Sequence, residues 1–523
     1  MLLSDLLVQS AEQFQEKTAV IFGEHGITFG ELHRQSSQLA ARLRRLGVGP
    51  GARVALLHQN ALEAVIFFWG VLKSGAQLVD LPSLAGVGTI SGILSESKPA
   101  VLIASERQLQ RLATREDCLP RNVITGTVPA GKSGGTDYHS LAEITQTEPG
   151  KYVRPCLDEQ DVALIVYTSG TTGKPKGVML SHQNLVSNIL AVNSLMGLTS
   201  DDSVLVVVPL YFIHGRMQLL THALVGGTVA LSGGFQFPQK VVEELCCCRV
   251  TGFSGVPYHF SMLMERTRLA ATPLPNLRYV VVTGGALTPQ ALRKLSESLP
   301  GVAIHIAYGQ TEASPRITNL EPSQVLTKIG SCGLPVPGVR IEIVDDDGST
   351  VEQGQIGEVV VTGPNVMRGY VSGDEMESGK IDRLGRLHTG DLGKLDSEGY
   401  LYLVGRKSEL IKSAGERVFP REIETVLDGH PGIHESAVLG IPDDLLGERI
   451  VACVVLRPGA DVSAETLRTH CLKSLPLVRI PREVRFSERL PKTASGKTDR
   501  SGLVAHFQEI GLARTRIAQA AQS

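Results

Sequence analysis

The sequence is short of the residues that mark several protein classes. Aromatic residues make up 5% of its 523 positions, with one tryptophan, Trp69. Single-stranded nucleic acid is bound on aromatic side chains interleaved with basic ones, and the chain has no such stripe. No sign of charge dominates. Lys and Arg number 51 against 53 Asp and Glu, a net charge of −2, so nothing draws the chain to a polyanion. Long apolar runs are missing too. The most apolar stretch, Val204 to Ile213, is interrupted by Pro209 and is too short to span a bilayer. The eight cysteines show no CxxC or zinc-type spacing. Three of them, Cys246, Cys247 and Cys248, are consecutive and read as small apolar residues ending a helix in a reducing compartment. Met1 to Lys17 lacks a basic n-region and a small-residue cleavage site. Its Leu2, Leu3, Leu6, Leu7 and Phe14 describe an amphipathic helix, not a signal peptide. The expectation is a soluble, cytoplasmic protein without a membrane span.

What is present is ordinary globular composition, 42% hydrophobic and 20% charged, in a chain too long for one core. Residues 1 to 160 alternate helical and strand patterns, with a helix opening near Thr28, a strand at Val54 to Leu57 and a helix from Ala61 to Leu72. Residues 127 to 150, rich in Gly, Ser and Thr, read as a loop. Strands at Val204 to Pro209, Gly252 to Val256, Tyr279 to Thr283 and Ile304 to Tyr308 then alternate with helices, which predicts layered α/β sheets. From about 330 to 404, short runs separated by Gly and Asp predict a β-rich subdomain. A small α+β tail follows Arg406. The fold class is therefore α/β, with a large N-terminal domain at 1–406 and a small C-terminal domain at 407–523.

One loop stands out. Tyr167 to Gly177 reads Tyr-Thr-Ser-Gly-Thr-Thr-Gly-Lys-Pro-Lys-Gly, between the apolar runs Val162 to Val166 and Val178 to Leu180. Two strands flank it, as in a hairpin, and Ser181 can cap the helix that follows. Glycines let backbone N–H groups converge, while hydroxyls and ammonium groups add donors, which is how a chain holds a polyphosphate. This is not a Walker A loop, because Lys174 is followed by Pro175 and a strand, not by Ser or Thr and a helix.

Other motifs carry less by themselves. Tyr308-Gly309-Gln310-Thr311-Glu312 ends a buried strand, and a carboxylate there suits a hard divalent cation bound to phosphate oxygens. Gly284-Gly285-Ala286 would let a flat ring approach the backbone. Thr389-Gly390-Asp391 reads as a turn, and Gly496-Lys497 as solvated surface. His214 and Arg216 could face a second carboxylate, but a packed His and a solvated Arg are the favoured reading.

The loop resembles the phosphate-binding loop of the adenylate-forming superfamily, which includes acyl-CoA synthetases, the adenylation domains of peptide synthetases and firefly luciferase. The other motifs extend the resemblance along essentially the whole chain. It implies that Thr168, Ser169, Gly170, Thr171, Thr172 and Lys176 hold the phosphates of ATP. It also implies that Tyr308 stacks on adenine beside Gly285, Ala286 and Gly309, that Thr311 touches the α-phosphate, and that Glu312 with Thr168 holds Mg²⁺. Asp391 and Arg406 would bind the ribose. Phe212, Ile213, His214, Gly284 and Gly309 would line the acyl pocket, and Gly415 the tunnel that admits CoA. Ser408 falls at the hinge, where relatives carry Asp or Lys. Lys497 would neutralise the carboxylate during adenylation. Ile213 stands where amino-acid-activating members place Asp, which argues against amino acid substrates.

The implied activity is that of an AMP-forming acyl- or aryl-CoA synthetase using ATP, Mg²⁺ and CoA on a small-molecule carboxylic acid. A ligase that loads a carrier protein's pantetheine is the alternative within the same chemistry. A nucleotide-binding homologue without turnover is the alternative of another class. A homodimer stays open, and nucleic acid is not an implied partner.

Overall fold

The computed structural model describes residues 1–127, 135–141, 144, 152–169, 175–373, 379–443, 445–492, 498–500, 502–505 and 507. Three sheets organise them. The first has eight strands. Its centre is parallel, with Arg53–Leu57 between Gln77–Asp80 and Val101–Ala104, and the antiparallel hairpin Val162–Ser169 and Pro175–Ser181 extends it toward one edge. Strands covered on both faces read as continuous apolar runs, as in Val101–Ala104, where every residue is buried.

The second sheet has thirteen strands. Its parallel part runs through Ser203–Val206, Gly252–Gly255, Tyr279–Thr283 and Ala303–Gly309, close to the bounds expected from the sequence. The β-rich stretch is not a separate sheet. Ser331–Pro335 pairs with Arg316–Leu320 on one side and Leu401–Arg406 on the other, so the antiparallel strands extend the same sheet. The third sheet, of five strands, is built from residues after Arg406 and has its own apolar core around Ile423, Val438 and Leu467. This is the large and small division of a mixed α/β protein.

Two expectations change. Asp137–Ser140, inside the stretch read as loop, is a strand that pairs in parallel with Asn122–Thr125 at the end of the first sheet. Partners outside the segment created that strand, so local composition did not reveal it. The helix Pro238–Cys247 does end in the cysteine run, but it buries Val241, Val242 and Leu245. Cys246 and Cys247 fall on its other face and are exposed. Among the described residues, no helix is long and apolar enough to cross a membrane.

Candidate active site

The strands on either side of the polar loop pair as the hairpin expected from the sequence. Thr168 pairs with Lys176 and Tyr167 with Gly177 across it. Gly170, Thr171 and Thr172 lie outside the described residues, and Ser169 is described by its backbone, in the strand. The exit strand is anchored at once. Ser181 caps the helix His182–Met196, its hydroxyl accepting from Asn184 N at 3.1 Å while Asn184 Oδ1 accepts from Ser181 N at 2.9 Å.

A short strand that carries no sequence signal completes this end of the site. Gly369–Tyr370 crosses from the second sheet to pair with Val178 and Met179 on the first. The flanking bonds Val371 N to Gly177 O, 2.8 Å, and Arg368 N to Met179 O, 2.9 Å, fix its register. Tyr370 then donates its hydroxyl to Glu312 Oε1 at 2.9 Å, and Lys176 Nζ lies 5.2 Å from its ring centroid. Burial and the Glu312 carboxylate both push the Tyr370 phenol up, so it stays a donor. Glu312 sits in the short turn Thr311–Ala313, held by Asn365 Nδ2 donating to Ala313 O at 2.9 Å. Among the described residues no cluster of three or more His, Cys, Asp or Glu could chelate a metal unaided. A lone carboxylate with one oxygen taken by Tyr370 fits an ion whose other ligands are phosphate oxygens and water.

The other end of the site is built on Asp391. Tyr308 donates to Asp391 Oδ2 at 2.7 Å, and Arg406 Nε lies 3.1 Å from Oδ1. The Arg406 contact follows from strand register, since Asp391 and Arg406 are directly paired. Burial and Asp391 hold the Tyr308 phenol well above its usual range. Gly309 has no room for a side chain, because a Cβ there would lie 1.7 Å from Pro315 O. Gln310 Nε2 is buried with no hydrogen-bond partner among the described residues, a donor left for a ligand or water. Gly285 and Ala286 follow the strand Tyr279–Thr283 as an exposed turn.

Phe212, His214 and Ile213 open the helix Ile213–Val225. His214 Nε2 lies 3.0 Å from Ser254 Oγ. Burial, with the Arg316 guanidinium adding to it, pushes His214 down to about 3, so it is neutral at physiological pH. Ile213 is buried in the main N-terminal core, whereas Phe212 is half-buried against the second one. Arg216 corrects the sequence reading. It is not solvated but buried in an ion pair with Asp80.

These features coincide with the comparisons to known proteins. Residues 7–371 match the AMP-binding enzyme family, and residues 422–497 match the AMP-binding enzyme C-terminal domain. The chain belongs to the AMP-binding enzyme family. It is 32% identical over 519 residues to a probable CoA ligase from Humulus lupulus, covering 97% of this chain and 96% of that protein. It is 35% identical over 496 residues to a feruloyl-CoA synthase from an Amycolatopsis species, covering 94% and 96%. The ATP-bound structure of MatB from Rhodopseudomonas palustris superposes with a TM-score of 0.87 at 27% identity, over 98% of this chain and 100% of that one. The chain is an adenylate-forming enzyme of the acyl-CoA synthetase branch.

In this AMP-binding enzyme the expected hinge and tunnel residues follow Arg406 in the chain. Ser408 is exposed in the turn Lys407–Glu409, beside Lys407, which donates to Glu358 Oε2 at 3.1 Å. Gly415 is exposed at the tip of the hairpin Ile411–Ser413 and Glu416–Val418. Its φ of +82° is a conformation that side chains disfavour, although nothing lies within 4 Å of where a Cβ would be. Lys497 lies outside the described residues.

Proposed function

We propose that this AMP-binding enzyme activates a small-molecule carboxylic acid with ATP, releases pyrophosphate, and transfers the acyl group from the adenylate to CoA. The observation that carries the reading is the pairing of two prepared carboxylates. Asp391 is set by Tyr308 and Arg406, and Glu312 is set by Tyr370 beside Lys176. Asp391 can accept both ribose hydroxyls, while Glu312, Thr168 and Lys176 face the phosphates. When bound, Mg²⁺ would neutralise phosphate charge held by Glu312 and Thr168.

A substrate carboxylate oxygen attacks the α-phosphorus, the bond to the bridging oxygen breaks, and pyrophosphate leaves. Two anions must meet, so fixed donors and cations lower the barrier by positioning and charge neutralisation. Thr311 donates to the α-phosphate, and Ser169, Gly170, Thr171 and Thr172 complete the phosphate loop. Gly285, Ala286 and Gly309 let adenine lie against the backbone beside Tyr308. In the second step a CoA thiolate attacks the acyl carbonyl and AMP leaves. The domain 407–523 turns about Ser408 between the steps, withdrawing Lys497 and bringing Gly415 toward the thiol path.

Phe212, His214, Gly284 and Gly309 line the acyl site. With Ile213 in place of an anion and His214 neutral, nothing there calls for an α-ammonium, so an apolar acyl or aryl acid is the substrate class. The names of the relatives support CoA as the acceptor. Pyrophosphate release measured over a panel of acids, with and without CoA and Mg²⁺, tests the reading. AMP must appear with pyrophosphate, and ADP with phosphate would overturn it.

A further inference from the structure

Lys380 belongs to none of the motifs above, yet its place is tightly specified. Its carbonyl accepts from His388 N at 2.9 Å, and its neighbour Ile381 bridges Leu387, so its backbone is bound to the strand that carries Asp391. Its side chain, half-buried, runs along the Thr389-Gly390-Asp391 turn. Nζ donates to Thr389 O at 2.7 Å and lies 3.6 Å from where a Cβ on Gly390 would be. An ammonium has three N–H donors. Among the described residues one of them is used, and no carboxylate is within ion-pair distance.

The neighbouring anions are taken. Asp391 is held by Tyr308 and Arg406, and Glu312 accepts from Tyr370. Burial pushes the Lys380 ammonium down, and the attraction of Glu312 and then Asp391 opposes it. The cation therefore lies in the field of both ends of the site while pairing with neither. A nucleotide with its ribose on Asp391 and its outer phosphates at Glu312 must run its α-phosphate between them.

Resting on the adenylation reading, we infer that Lys380 is a nucleotide-binding residue whose free N–H groups donate to the α-phosphate of ATP and of the acyl-adenylate. Lys380 and Lys497 then have different parts. Lys380 is on the large domain and stays beside the phosphate through both half-reactions, so it retains the intermediate when the small domain turns away. A charge-assisted bond of this kind outweighs a neutral one.

The test is calorimetric titration of the full chain with ATP, AMP and adenosine, for wild type, Lys380→Met and Lys380→Arg. The methionine variant should bind ATP and AMP about 10- to 100-fold more weakly, the range of a hydrogen bond to a charged group. Adenosine affinity should be unchanged, and arginine should restore part of the loss. Single-turnover rates from ATP plus acid, and from acyl-adenylate plus CoA, should both fall. Equal loss of adenosine affinity, or unchanged ATP and AMP affinity, would overturn the inference. If Lys380→Met does not fold, Lys380→Gln keeps a donor to Thr389 and carries the same comparison. A wild-type enzyme that binds ATP and AMP but releases no pyrophosphate with any acid would overturn the proposed function while leaving the Lys380 contact standing.

Discussion

Arg216 and Asp80 form a two-pronged ion pair, Nε to Oδ2 at 2.7 Å and Nη2 to Oδ1 at 2.9 Å, with side chains 1% and 2% exposed. The guanidinium also lies 4.4 Å from the Phe68 ring centroid. The pair ties the first sheet to the helix that carries His214. Replacing a buried pair with apolar residues is often neutral, but breaking one strands a charge. Asp80→Ala should therefore cost about 3–5 kcal/mol in urea unfolding. The double variant Asp80→Leu with Arg216→Met should recover most of it. A loss below about 1 kcal/mol in the single variant, the worth of an exposed pair, would show that Arg216 finds another partner.

Glu312 and Tyr370 should separate by magnitude. Glu312→Gln removes the carboxylate proposed to face the phosphates and should lower adenylation about 10²- to 10³-fold. Tyr370→Phe removes one hydrogen bond to that charge and should cost about 10-fold. Pyrophosphate-release rates at saturating ATP measure both. A Tyr370→Phe enzyme as impaired as Glu312→Gln would mean that the phenol itself meets the substrate.

The difference between these residues is also a difference in legibility. Glu312 and Asp391 stood out only through the likeness of their short contiguous runs to family motifs, since the Asp391 run by itself reads as a turn. Most parallel strands were readable because burial on both faces leaves apolar runs such as Tyr279–Thr283. Tyr370 was not, since a two-residue strand has no periodicity and its partner lies far away in sequence. Asp137–Ser140 failed for the same reason. Arg216 was misread because a charged residue is exposed by default, and its partner Asp80 belongs to another sheet.

Lys497 should act in one half-reaction. Lys497→Ala should lower adenylation by roughly 3–4 kcal/mol of transition-state stabilisation, about 10²- to 10³-fold. Thioester formation from supplied acyl-adenylate should be nearly unchanged. Single-turnover rates from each starting point are the measurement, and a comparable fall in both would sink the two-conformation mechanism.

Gly415→Leu should have the opposite signature. A Cβ there would have nothing within 4 Å, so adenylation should persist, while thioester formation should be blocked if the tip enters the thiol path. Acyl-adenylate accumulating in the presence of CoA would show this. Equal loss of both halves would point to the strain of a left-handed leucine instead.

Lys73 should give stability a pH dependence. It is fully buried, donating to His33 O at 2.8 Å, Ser36 Oγ at 2.9 Å and Ser37 Oγ at 3.0 Å, and burial pushes it from 10.5 down to about 7. Between those values the unfolded chain holds a proton that the folded chain lacks. The Lys73 contribution to unfolding free energy should rise from pH 7 toward pH 10 by about 1.4 kcal/mol per pH unit, and be lost again as pH falls. The wild type minus Lys73→Met difference isolates that slope. A flat difference would mean the amine keeps its proton when buried.

The crossing strand Gly369–Tyr370 has a consequence for synthesis. The hairpin strand Pro175–Ser181 is paired on its outer side by residues that leave the ribosome long after it. Until they arrive, the first sheet has an open edge at that hairpin, available to any other unpaired strand. A nascent chain halted before Gly369 would present that edge, so fragments ending between the loop and Gly369 should self-associate where longer chains do not.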